Sequence, residues 1–365
     1  MTLGLYLARR FLFSFLCVFG IFFVLLLLID FVEQLRFLGN KQISTAQIFG
    51  LVLLNVPTNL QKILPLVMLF ASIFALLSMS RSSELVIARA AGQSGIKLLI
   101  APMLTAFSIG LVSLMIFNPI VAISMQQYDA SLSRYVRGTD SIFSVSSEGL
   151  WLRQGGPDGQ SVIKATRANS DGTVLYGASF WTFDGSGTPI SRIEANIAQL
   201  EPGAWILSNA RKWDLRVTNP QAEMQALTKG EKINSDLTPD AIRDSFGKPA
   251  AISIWILPSY IEALEFAGFS AKSHRLWLQM ELALPFFLAT MVLLAAGFTM
   301  RPSRLSASGG LIVFAVLSGF AIYFIRNLAQ ILGGNGQIPI MLAAWGPPGV
   351  VALCAIGLLL HLEES

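Results

Sequence analysis

Charge is scarce in this chain of 365 residues. Asp, Glu, Lys and Arg make up 13% of it, against about 25% in an ordinary soluble domain, while hydrophobic residues reach 53%. The net charge of +4 is too small and too dispersed to argue for nucleic acid. The only cysteines, Cys17 and Cys354, lie within apolar runs, so no disulfide framework is available. Neither histidine, His274 or His361, belongs to a His-Glu-x-x-His zinc motif. Gly247–Lys248 is followed by Pro249 and has no glycine five positions upstream, which excludes a phosphate-binding loop there. No Gly-x-Ser-x-Gly elbow occurs, and Asp30 lies at the end of an apolar run rather than inside one, as an intramembrane aspartyl protease would need. These absences argue against catalysis by this chain, and against a metal or cofactor of its own.

Long apolar runs are what the chain does have. The first, Phe11 to Ile29, holds 19 residues without a charge, or about 28 Å of helix, close to the thickness of a bilayer core. It is too long for a cleaved signal peptide, and no small-residue cleavage site comes after it before Asp30. Further spans are predicted over about Pro57–Met79, with Pro65 as a kink, and over Leu98–Ile120, Trp277–Phe298, Gly309–Ile325 and Ile338–Leu360. Arg9, Arg10, Arg81, Arg89, Lys97, Arg301 and Arg304 all fall on one side if the spans alternate, which makes that side cytoplasmic. Both termini are then cytoplasmic, and the long insert is outside.

Between the two groups of spans the composition turns polar and alternating. Val174–Tyr176, Phe180–Phe183, Ile193–Leu200 and Trp205–Leu207 read as strands, separated by the turn signals Asp158–Gly159, Asp171–Gly172, Asp184–Gly185 and Pro202–Gly203. Short strands with regular turns point to a sandwich or jelly roll. From Leu257 to Phe269 the spacing becomes helical, suggesting an interfacial helix ahead of the fourth span. The fold class is therefore an α-helical membrane protein of six transmembrane helices, three and three, with an inserted extracytoplasmic all-β jelly-roll domain. The expected divisions are 1–123, 124–273 and 274–365.

Two groups of residues could carry function. Between spans two and three, Ser82 or Ser83 can cap a helix, Glu84 suits its positive end and Gly92 can stop it. That helix, about 82–92, carries Leu85, Ala88 and Ala91 on one stripe, with Glu84 and Arg89 available for polar contacts. It reads either as a plain connecting loop or as a knob for a partner's groove. The second group is basic: Arg36, Lys41, Lys62, Arg134, Arg137 and Arg326 lie near outer span ends. They read either as ordinary interfacial charges or as a rim for an anionic headgroup. Glu281, inside the fourth span, costs several kcal/mol unless it is paired or near water, and is expected to face a bundle interior or cavity.

The segment Ser83-Glu84-Leu85-Val86, continuing to Ala90-Ala91-Gly92, closely resembles the coupling helix of the LptF/LptG permeases of the lipopolysaccharide transport exporter. Phe31-Val32-Glu33-Gln34-Leu35 and Leu237-Thr238-Pro239 resemble the LptG branch, and the layout of spans and insert is similar over nearly the full length. The resemblance implies a non-catalytic permease subunit of a bacterial inner-membrane ABC exporter, with its β domain in the periplasm. It implies an LptF-like permease as partner and an LptB-like ATPase dimer that uses ATP and Mg, with LptC-like and LptA-like proteins receiving the lipid. Glu84, Leu85, Ala88, Arg89 and Gly92 would form the ATPase-coupling helix, and the basic rim would meet the phosphorylated lipid, with Arg36 the best-matched position. The chain departs from some relatives in carrying Asp30 where they have Lys, and Arg134 and Arg137 do not align cleanly with the basic pair of others. A permease for another lipid, a lipoprotein or a peptide, or a non-transporting scaffold, is the alternative. Permeases of those other substrates often place one span before their external domain and three after it.

Overall fold

A computed structural model of the chain describes residues 2–39, 43–81, 95–136, 143–146, 149–156, 159–169, 172–184, 187–217, 225–227, 231–235, 248–266, 270–299 and 309–364. They form two compact units, residues 1–129 with 275–365, and residues 130–274.

The first unit is helical. α1 (Thr2–Leu38) and α2 (Thr45–Arg81) are each 37 residues long, well beyond the apolar runs within them. α2 opens on a capping box, in which the Gln47 N–H donates to Ser44 Oγ at 3.3 Å and the Ser44 N–H to Gln47 Oε1 at 3.0 Å, and it runs through both Pro57 and Pro65. The third span is composite. α3 (Gly95–Val112) passes through a π-turn at Ser113–Phe117 into α4 (Asn118–Val136). There the Asn118 N–H bonds the Ser113 carbonyl, five residues back. A short helix α5 (Leu257–Phe266), in the second unit, stands where the helical spacing predicts one. The last three spans are α6 (Lys272–Thr299), α7 (Gly309–Gly334) and α8 (Ile340–Glu364). Among the described residues, six helices are thus long and apolar enough to cross a membrane.

α6 and α2 form the core of this unit, through Leu64, Met68, Leu76, Phe287, Leu288 and Val292. Small residues let helices approach closely, as apolar burial alone does not drive association in lipid. Among the described glycines, the tightest approach to another helix's backbone is at Gly110 on α3, where a Cβ would come 2.4 Å from the Pro285 Cα of α6. α1 and α7 flank α2: the Phe70 ring on α2 lies 5.6 Å from Phe22 of α1 and 6.5 Å from Phe320 of α7. The most apolar windows of α1 and α7 are each only 11% buried, against 78% for α6. Phe13, Leu16 and Ile21 on α1, and Phe314, Leu317 and Phe324 on α7, are exposed.

The second unit carries, among the described residues, a nine-stranded antiparallel sheet. In chain order its strands are β1 (Phe143–Ser146), β2 (Gly149–Gly156), β3 (Gly159–Ala165), β4 (Arg167–Ala168), β5 (Val174–Phe183), β6 (Pro189–Glu201), β7 (Ala204–Asp214), β8 (Gln225–Leu227) and β9 (Glu231–Asn234). The order across the sheet is β1-β2-β3-β5-β6-β7-β8, with β4 on β5 and β9 on β7. One face is apolar and buried, with Leu152, Ile163, Phe180, Ile193, Trp205 and Leu207. The other carries Trp151, Trp181 and Trp213 interleaved with Lys164 and Arg192, whose cations lie 4.8 to 5.8 Å from the ring centroids.

The sheet coils on itself. Phe180 pairs with Ile193 and Trp205 with Leu200, partners seven residues apart on β6, or about 23 Å of strand. Yet the Phe180 and Trp205 rings are 6.2 Å apart. The bend has a local cause. Pairing skips Gly177, Asn196 and Asn209 on three adjacent strands, and Gly177 and Asn209 have φ of +60° and +53°. Such aligned irregularities bend and twist a sheet. They also interrupt the alternation expected through Ile193–Leu200: Ile193, Ala195, Ala198 and Leu200 are buried, while Asn196 and Ile197 are both exposed. Beyond β7, Arg216 closes the turn by donating from its backbone N–H and its guanidinium to Asp214, at 2.7 to 3.0 Å. The same bonds hold the Asp214 carboxyl down at about 2.

Candidate functional site

The helical unit holds a polar cluster shared among several of its spans. Glu281, on α6, is 2% exposed. Its Oε2 accepts hydrogen bonds from Gln61 Nε2 of α2 at 2.9 Å and from Asn118 Nδ2 of α4 at 3.3 Å. Asn118 is the first residue after the π-turn and is 1% exposed. The extra backbone residue of a π-turn rotates the next stretch of helix about its axis, and such turns cluster at functional positions. Arg326, from α7, is half-buried; its guanidinium interacts electrostatically with Glu281 and lies 5.7 Å from the Phe287 ring centroid. Four separate stretches of chain therefore converge on one carboxylate. That satisfies the condition a charge within a membrane span requires: a partner of opposite sign, and hydrogen-bond donors for its oxygens.

A second polar group joins α1 to its neighbours. Asn55 Nδ2 donates to Asp30 Oδ1 at 2.8 Å, and Gln34 Nε2 donates to the Tyr128 hydroxyl at 2.7 Å. Asp30 and Gln34 are both buried.

The candidate site residues occupy different settings. Arg36, in the last turn of α1, is exposed, and so is Lys62, the residue after buried Gln61. Arg326 is half-buried, with its guanidinium over Phe287 and in electrostatic interaction with Glu281. Arg134 lies in α4, with its side chain outside the described residues, and Lys41 and Arg137 are also outside them. The whole candidate coupling helix, with Glu84, Leu85, Ala88, Arg89 and Gly92, falls there too. Gln61 and Asn118 were not singled out by sequence. Each is an amide within an otherwise apolar stretch, and that is the signal they offered.

The second unit has the apolar sheet face as a lining of its own. Along the crease at Gly177, Asn196 and Asn209 a cavity of about 730 Å³ opens, lined also by Ser179, Glu194 and Arg211.

A six-span bundle, an inserted antiparallel sheet and a buried polar cluster can be compared with known proteins. The family model described as "Lipopolysaccharide export system permease LptF/LptG" matches residues 5–361. The chain belongs to the LptF/LptG permease family. The lipopolysaccharide export system permease protein LptG of Escherichia coli strain K12 is 27% identical over 336 residues, covering 92% of this chain and 91% of that protein. The LptG protein of Haemophilus influenzae is 28% identical over 306 residues, 82% of each chain. For an LptF/LptG permease the match spans both units, so the sheet is as much part of the family's body as the six helices.

Proposed function

We propose that this permease takes lipopolysaccharide from the outer leaflet of the inner membrane and passes it through its coiled β sheet toward a periplasmic bridge. A second, LptF-like permease shares the cavity, an LptB-like ATPase dimer supplies the energy with ATP and Mg, and LptC-like and LptA-like proteins receive the lipid. The carrying observation is the α1–α2–α7 wall. The most apolar windows of its outer helices α1 and α7 are each only 11% buried within the chain, while the same wall bears Arg36, Lys62 and Arg326. Apolar helix faces suit acyl chains and a partner's spans, and cations suit lipid phosphates. The apolar face of the sheet offers the next surface for acyl chains. The basic residues Arg9, Arg10, Lys97, Arg301 and Arg304 support cytoplasmic termini and a periplasmic sheet.

Energy has to reach the lipid through a contact with the ATPase, and residues 82–92 are the segment proposed for it. Reversing the charge of Glu84 (Glu84→Arg) is expected to abolish both ATPase co-purification and lipid export, while the chain's level in the membrane stays normal. Pull-down and a lipid-release assay from membrane vesicles read the two effects. A Glu84→Arg chain that still recruits the ATPase and exports lipid would remove the coupling assignment. A lipid, lipoprotein or peptide other than lipopolysaccharide in the release assay would point to a permease of different cargo.

A further inference from the structure

Arg326 carries a positive charge on the least buried kind of helix in the bundle, yet its guanidinium is drawn inward. α7 lies against α2 through Phe320 and Phe70, and Gly319 admits the Leu69 side chain. On the α6 side the guanidinium rests over Phe287 and interacts with Glu281, six residues earlier on the same helix. Glu281 is itself fixed. Gln61 and Asn118 both donate to the same oxygen, and they come from two other helices. A carboxylate held in this way is a stationary anion, whereas the cation sits on a long flexible side chain at an exposed helix. Arg is suited to a change of partner because its guanidinium pairs equally well with carboxylate and phosphate.

We propose that Glu281 is a positioning residue: it holds Arg326 inside the bundle when no lipid is bound, and yields it to a phosphate of the entering lipid. The inference rests on the export reading above. Glu281 then competes with the lipid for one cation. This competition lowers affinity for phosphorylated lipid, and it returns the cation to the protein when the lipid leaves. Gln61 and Asn118 serve by keeping the carboxylate from following Arg326 toward the lipid. The neighbouring Lys62, exposed beside Gln61, is free of this restraint and meets the headgroup directly.

The test uses the full-length chain, purified with its companion proteins in lipid nanodiscs. Affinity is measured for bis-phosphorylated lipid A and for its phosphate-free counterpart, alongside the export rate. Glu281→Gln is expected to tighten binding of the phosphorylated lipid by about tenfold, at the low end of measured charge–charge couplings, and to leave the phosphate-free lipid unchanged. Export is expected to slow, since the cation is no longer recaptured. Arg326→Gln is expected to weaken only the phosphorylated lipid. The E281Q/R326Q double variant should match Arg326→Gln alone, because Glu281 acts through Arg326. Asn118→Ala keeps both charges and should shift binding in the same direction as Glu281→Gln, by less; it also serves if Glu281→Gln does not fold. Equal effects of these variants on the two lipids, or additive effects in the double variant, would overturn the proposal. A wild-type chain that binds neither lipid would instead sink the export reading on which it rests.

Discussion

A single methyl group at Gly110 is expected to push α3 away from α6 and destabilise the bundle, and a larger side chain to prevent its assembly. The position has no room: a Cβ would lie 2.4 Å from Pro285 Cα, 3.0 Å from its Cβ and 3.1 Å from its nitrogen. The nearest of these is backbone, so a side-chain rotation cannot relieve the contact. Pro285 sits inside α6, whose window is the most buried of the six spans, so α6 has little freedom to retreat. The displacement therefore falls on α3. Three residues beyond Gly110 the π-turn begins, and just after it Asn118 reaches Glu281. Moving α3 breaks that hydrogen bond as well as the helix contact. Overpacking of this kind costs about 1–3 kcal/mol for an added methyl, and a larger side chain should cost more. Gly110→Ala is expected to lower the unfolding temperature of the purified chain, and Gly110→Leu to prevent its accumulation in the membrane. Normal amounts of a stable Gly110→Leu protein would show that the α3–α6 approach is not needed.

The second large effect concerns Glu281 and the cation that faces it. Arg326→Leu leaves the Glu281 carboxylate without its cation, 2% exposed and held by two amides. A buried carboxylate that loses its compensating cation destabilises the fold, whereas replacing both groups by apolar ones is often neutral. The E281L/R326L double variant is therefore expected to be markedly more stable than Arg326→Leu alone. The double variant should still lose phosphate-dependent lipid binding, because the cation is gone. Thermal unfolding of the unaltered chain, Arg326→Leu, Glu281→Leu and the double variant in one detergent reads the stability cycle. Equal losses for single and double variants would mean that the two side chains are not coupled, and the cluster would be reduced to separate polar contacts.

The spans were legible because 19 consecutive uncharged residues in Phe11–Ile29, and similar runs later, leave few alternatives. Their true ends were not legible. α1 and α2 extend well past the apolar runs because residues such as Thr2–Arg10 and Phe31–Leu38 form helix as readily as the core does. Glu281 stood out from its cost alone. Its donors did not, since Gln61 is 220 positions away in sequence and only folding brings it within 2.9 Å. The π-turn had no signal at all: Ser-Leu-Met-Ile-Phe reads as ordinary helix. In the insert, alternation and turn dipeptides marked the strands. The crease was hidden, because a phase slip at Asn196–Ile197 has meaning only beside the matching slips at Gly177 and Asn209. The coupling segment was the reverse case. Its reading comes from sequence resemblance, and it lies outside the described residues.

Co-purification tests the central claim most directly. The tagged chain would be isolated from native membranes, and its associated proteins and lipids identified by mass spectrometry. Recovery of a second six-span permease, an ATPase and lipopolysaccharide is the predicted result. Recovery of the chain alone, or with an ATPase and a different cargo, would contradict the proposal that this permease exports lipopolysaccharide.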